Sequence, residues 1–140
     1  MRRGAYLEKE LQRILCFLNE NGVHAHKNHC DRTVDGVYLE GEPYDYEVFA
    51  NPVHVFDAKE AQGDRWPLSN AKPMQVKHLL NCAAHGAEAY FLVLFGGCDL
   101  RRFDVEFVNV AIAAGRKTLD KFEGKSWDWR IFLNGDEQDV

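Results

Sequence analysis

The sequence has no apolar run approaching the ~20 residues that a membrane-spanning helix requires. It has no internal repeat and no low-complexity tract. The first residues, M-R-R-G-A-Y-L-E-K-E, turn charged where a signal peptide needs its apolar stretch, so the expectation is a cytoplasmic protein. Four cysteines, Cys16, Cys30, Cys82 and Cys98, are scattered without a C-x-x-C pair, which points to reduced, mostly packed thiols. The run V-H-A-H-K-N-H-C offers His24, His26, His29 and Cys30 as zinc ligands, but no matching second pair follows, and an ordinary strand and loop is expected there. Positive charge is also short: 17 Lys and Arg stand against 22 Asp and Glu, a net charge of −5, with a pI near 5.6. That balance runs against nucleic-acid binding, because affinity for DNA comes largely from cationic contacts to phosphate. It leaves room for a local basic face beside an acidic site whose charge a bound cation offsets.

What is present describes a folded chain. The 140 residues are 46% hydrophobic, with nine Phe, five Tyr and three Trp, enough for one domain with its own core over residues 1–140, ending in an acidic tail from about residue 134. Residues 5–21 place Leu7, Leu11, Ile14, Leu15 and Leu18 at helical spacing, and Gly22 follows as a stop. Residues 23–27 suit a short strand, and G-V-Y-L-E within the polar stretch 28–42 suits another. The segment A-Q-G-D-R-W-P-L-S-N-A-K-P is rich in turn formers and predicts a loop able to close over a substrate. Pro73 opens a helix running to about Ala84. The run A-E-A-Y-F-L-V-L-F, residues 87–95, is nearly continuous apolar sequence, as in a strand buried on both faces, so helices should cover the sheet. D-L-R-R-F predicts a further strand, and Asp104 an N-cap for a helix ending at Gly115. The basic segment G-R-K-T-L follows, then S-W-D-W-R-I-F-L.

The stretch with chemical promise is P-Y-D-Y-E-V-F-A-N-P-V-H-V-F-D-A-K-E, residues 43–60. It reads as two strands, Tyr44 to Phe49 and Val53 to Phe56, joined at Asn51-Pro52. Asp45 falls in the first strand. Asp57 and Lys59 fall at the end of the second, two residues apart and so on one face. Two carboxylates on neighbouring strands are hard oxygen ligands for Mg²⁺ or Mn²⁺, and a lysine beside them can orient water or neutralise a phosphate. An acid, a gap and a lysine also occur on solvated strand edges, so the surroundings decide. Glu8 borders the buried stripe of the first helix, and Gln75 lies in the first turn of the helix after Pro73.

Taken in order, R-G-A-Y-L-E at residues 3–8, D-Y-E-V-F from Asp45, F-D-A-K-E at 56–60, W-P-L-S-N at 66–70, M-Q-V-K-H around Gln75, A-Y-F-L-V-L-F from Ala89 and G-R-K-T-L from Gly115 resemble RecU-type Holliday-junction resolvases of the PD-(D/E)XK nuclease superfamily. The resemblance implies an α/β fold with a restriction-endonuclease-like core, a central mixed β-sheet flanked by helices. It implies a homodimer that hydrolyses phosphodiester bonds of branched DNA in recombination or repair with Mg²⁺ or Mn²⁺, and a phage or prophage origin suits such an enzyme. By position it makes Asp45 and Asp57 metal ligands with the carbonyl of Ala58 as a third, Lys59 the catalytic lysine, Gln75 the active-site glutamine and Glu8 the first-helix acid. Arg3, Lys72, Lys77, Arg116 and Lys117 are the candidate DNA contacts. The chain departs from the family in carrying aspartate rather than glutamate before Ala58, and in a short segment ahead of Asp45 where RecU has a stalk. Two other readings stay open: the same nuclease core acting on other DNA structures, and a non-catalytic DNA-binding module that shares the fold.

Overall fold

The structure is a computed structural model that describes residues 5–27 and 46–134. Arg3, Asp45, His29, Cys30, the G-V-Y-L-E segment and the tail from residue 135 lie outside the described residues.

The longest strands organise the rest. Strand β3 (His54–Ala61) and strand β5 (Glu88–Phe95) lie side by side and parallel, with Asp57 opposite Phe91 and Ala61 opposite Phe95. A parallel pair needs a crossover, and helix α2 (Pro73–Ala84) supplies it. Strands β1 (Ala25–Lys27) and β2 (Tyr46–Val48) extend the sheet antiparallel beyond β3; β6 (Asp99–Asp104) and β8 (Lys125–Ser126) extend it antiparallel beyond β5. The result is a six-stranded mixed sheet, β1-β2-β3-β5-β6-β8. A separate two-stranded ribbon joins β4 (Arg65–Pro67) to β7 (Thr118–Asp120).

Each face of the sheet buries a different helix layer. Helix α1 (Ala5–Glu20) turns Leu7, Leu11, Leu15 and Leu18 onto a face built by Tyr46, Phe56, Tyr90 and Leu92, as its leucine spacing predicts. Trp127 and Phe132, the latter from the short helix α4 (Ile131–Asn134), close that side. On the other face Val76 and Leu79 of α2 and Val108 of helix α3 (Val105–Ala113) cover Val55, Phe91 and Val93. Strand β5 is therefore covered on both sides, as its unbroken apolar run requires. Gly22 and Gly115 hold positive φ, 86° and 80°, just after α1 and α3, where a side chain would be strained.

Four expectations need correction. Strand β3 does not stop before Asp57 but continues to Ala61, because β5 offers it a partner for every residue. The turn-rich segment 61–73 is no free lid: β4 pairs with β7, a 3₁₀ turn covers Leu68–Asn70, and Trp66 is fully buried against Phe91 and Phe103. Asp104 occupies the N-cap position of α3 without making a side-chain cap; its carboxylate is held by Arg102 and by Lys125 at 2.8 Å. Of the three described cysteines, all free, Cys16 and Cys98 are exposed rather than packed.

The α1 face contains a buried polar network with a consequence for stability. The Trp127 indole N–H donates to the Tyr90 hydroxyl at 3.0 Å, and that hydroxyl lies 2.9 Å from His54 Nδ1. Arg102 sits over the Tyr90 ring at 4.1 Å and is paired with Glu88 and Asp104. Burial first and the Arg102 charge second lower the His54 pKa from 6.5 to about 4, against the opposing pull of Glu88 and Asp104. The folded state therefore prefers neutral imidazole, while the unfolded chain takes up a proton near pH 6.5. This contribution, about 3 kcal/mol, is complete above pH 6.5 and is lost as the pH falls from about 6.5 to 4. Urea denaturation should show that decline, and His54→Gln should flatten it. An equal slope in that variant would place the effect elsewhere; the depressed carboxylates, such as Asp104, titrate below this window.

Candidate active site

Asp57 lies in the middle of β3, inside the sheet between β2 and β5, and its side chain is 1% exposed. Alternation along the strand sends Val55, Asp57, Lys59 and Ala61 to the α2–α3 face, and Phe56, Ala58 and Glu60 to the α1 face. The neighbouring lysine answers the cost of burying a carboxylate: Lys59 Nζ stands 2.9 Å from Asp57 Oδ2. The lysine side chain is still 19% exposed, so the pair is a buried acid with a cation reaching toward solvent. Ala58, between them, is paired with Leu92 in the β3–β5 ladder.

The α1 side contributes a different set of groups. The Leu7 backbone N–H, in the first turn of α1, donates to Glu60 Oε2 at 3.1 Å. A carboxylate one residue beyond Lys59 thus satisfies an orphan donor of the helix and fixes where α1 begins over the sheet. Glu8 follows Leu7, and its carboxylate is 3.8 Å from Lys27 Nζ on β1. Gln75 is engaged locally: its side-chain oxygen accepts from the Lys72 N–H at 3.2 Å and closes the first turn of α2, the helix covering the Asp57 face. The structure thus joins Asp57 to Lys59 directly, and sets Glu8 and Gln75 on the flanking helices of opposite layers.

Among the basic candidates, Lys77, Arg116 and Lys117 line one cavity of about 1240 Å³ between α2, α3 and residues 67–71. Its walls are largely apolar, with Leu68, Val76, Leu80 and Ile112 among them. Arg116 makes a bidentate pair with Glu123, both contacts 2.8 Å, and together with the Asp120 N–H holds that carboxyl down at about 2. Lys72 is exposed beside the start of α2. Sequence spacing did not mark Glu60, although its place directly after the acid–lysine pair puts it on the opposite face by strand alternation alone.

As hard oxygen donors, the Asp57 carboxylate and the Ala58 carbonyl fit a small divalent cation. No group of three or more His, Cys, Asp or Glu that could hold a metal gathers among the described residues, and the other acid expected there, Asp45, is outside them. No described helix is long and apolar enough to cross a membrane.

A mixed sheet flanked by helices, with an acid–lysine pair on its central strand, defines a restriction-endonuclease-like core. The chain is similar in fold to Hjc of Archaeoglobus fulgidus, a Holliday junction resolvase from an archaeal hyperthermophile, with a TM-score of 0.52 at 20% identity over 82% of this chain and 91% of that one. No curated protein matches it. The model of the recombination protein U family matches residues 2–121, and the chain belongs to that family.

Proposed function

We propose that this protein is a divalent-metal-dependent DNA endonuclease that cleaves four-way junctions, acting as a homodimer on a substrate that is itself two-fold symmetric. The observation that carries the reading is the buried Asp57 carboxylate 2.9 Å from Lys59 on β3. Tyr46, which follows Asp45 in the sequence, pairs with Phe56, which precedes Asp57. Asp45, Asp57 and the Ala58 carbonyl would hold Mg²⁺ or Mn²⁺, which when bound supplies positive charge at the scissile phosphate.

The protein's own groups have separate tasks. Lys59, anchored to Asp57 and partly exposed, presents an ammonium to the phosphate and orients the attacking water, which adds to phosphorus as the 3′ oxygen departs. Glu60 positions α1, and with it Glu8. Gln75 sits in the first turn of α2, where its carbonyl keeps the Lys72 N–H and its amide NH2 can donate to a phosphate oxygen. Lys72, Lys77, Lys117 and Arg3 are the remaining backbone contacts, while Arg116 acts through its pairing with Glu123.

Comparing four-way, Y-shaped and linear duplex substrates with Mg²⁺ and with Mn²⁺ tests the assignment. Paired symmetrical cuts across the four-way junction, at least tenfold faster than on linear duplex, are expected. Equal rates on all three would leave a nuclease without junction preference, and no cleavage of any would remove the enzymatic reading.

A further inference from the structure

The sheet face that carries Asp57 continues past the helices. Helices α2 and α3 cover that face over β3, β5 and β6, whereas on the edge strand β1 and its neighbour β2 the described side chains of that face stay at least partly exposed. Ala25 and Val48 point to the α1 layer, so His24, His26, Glu47 and Phe49 belong to the Asp57 side. Glu47 also raises the pKa of Cys82 on α2, second to burial of that thiol, which places its carboxylate toward the α2 layer. Three rings cluster there: His24 and His26 have centroids 5.4 Å apart, His24 and Phe49 5.2 Å, and His26 and Phe49 6.1 Å in a stacked arrangement. Phe49 is 47% exposed and His24 is exposed.

From this geometry, and resting on the nuclease reading above, we infer that His24, His26 and Phe49 form a stacking shelf for an unpaired base of the DNA substrate. Three observations select that occupant. The shelf lies on the same face of the sheet as Asp57 and Lys59. At about 3.4 Å per residue along a strand and about 4.8 Å between strands, the pairing registers put it roughly 12–17 Å from Asp57, with His26 nearest and His24 farthest. That is about four nucleotides at a stacked rise of about 3.4 Å, and fewer for an extended strand. The charge on the shelf is also wrong for a phosphate. Glu47, 3.2 Å from His26 Nε2, puts a carboxylate among the rings, so the backbone must turn away and the base, with its π-face and amino donors, must turn inward. Aromatic faces accept any base, which suits a site that holds a displaced nucleotide without reading sequence.

The test uses the full chain with junction and flap DNA carrying the fluorescent base 2-aminopurine at successive positions on either side of the cut, in Ca²⁺ to hold the complex uncleaved. Quenching at one or two adjacent positions within about four nucleotides of the cut is expected. Phe49→Leu, which keeps apolar bulk without a ring, should abolish that quenching and weaken binding of DNA with unpaired bases roughly tenfold. Phe49→Trp should retain both, and affinity for fully paired linear duplex should be unchanged in either variant. Equal quenching and affinity in Phe49→Leu, or quenching at no position while the protein still cleaves, would overturn the shelf and leave the nuclease assignment standing. Normal quenching without any metal-dependent cleavage would keep the shelf and overturn that assignment. Absence of DNA binding would overturn both.

Discussion

Lys59→Ala is expected to slow metal-dependent cleavage roughly 10²- to 10⁴-fold while leaving junction affinity within a few-fold of the parent. The Lys59 ammonium is fixed 2.9 Å from Asp57, so in the proposed mechanism its place near a phosphate would be set by a buried partner and not by chance sampling of a long side chain. One cation among several phosphate contacts contributes little to total affinity, but a cation at the reacting phosphate acts where charge grows. The substitution also leaves the 1% exposed Asp57 without this cation, which should cost about 1–3 kcal/mol of stability in metal-free protein. Rates must therefore be compared under conditions where circular dichroism shows the variant folded. Lys59→Arg separates charge from shape: the broad guanidinium keeps the charge but not the point geometry, and should restore at most a small part of the rate. Cleavage by Lys59→Ala within threefold of the parent, in a preparation free of contaminating nuclease, would remove Lys59 from the reaction.

The acid–lysine pair was readable from sequence because its geometry is local. Two residues apart on a strand is one face, and D-A-K states that directly. The extent of the strand was not readable. Ala58, Lys59 and Glu60 are poor strand formers, and they are extended because β5 supplies a partner for each, a constraint from residues 92–94. The same physics hides the ribbon at Trp66. Arg65–Pro67 reads as a loop until it meets Thr118–Asp120, over fifty residues later, and only that pairing makes the tryptophan core. Asp104 shows a local rule yielding to charge: a good N-cap residue by type, it is recruited by Arg102 and Lys125 instead. His24 and His26 were visible as a pair, and their spacing raised zinc. The decisive clue was the intervening Ala25, which faces the core and turns both imidazoles to the opposite side, where Phe49 completes the cluster.

Asp57→Asn should have the opposite balance of effects from Lys59→Ala on metal binding and stability. The amide keeps the carboxylate's shape and removes its charge, so cleavage should fall by roughly 10³-fold or more at any Mg²⁺ concentration, for want of an anionic ligand. Stability without metal should not fall, because a neutral side chain at a 1% exposed position avoids the desolvation cost of an anion, while Lys59, 19% exposed, retains access to water. Thermal denaturation with and without Mg²⁺ makes the distinction sharp. A ligand that binds only the folded state stabilises it by RT ln(1 + [L]/Kd), about 2.7 kcal/mol at a hundredfold excess over Kd. The parent protein should therefore melt several degrees higher in saturating Mg²⁺. Lys59→Ala should keep that rise, since lysine is no ligand, and Asp57→Asn should lose it. If Asp57→Asn retained the full rise, the cation would be bound elsewhere. If it retained cleavage as well, the chemistry would have to be moved off β3 altogether.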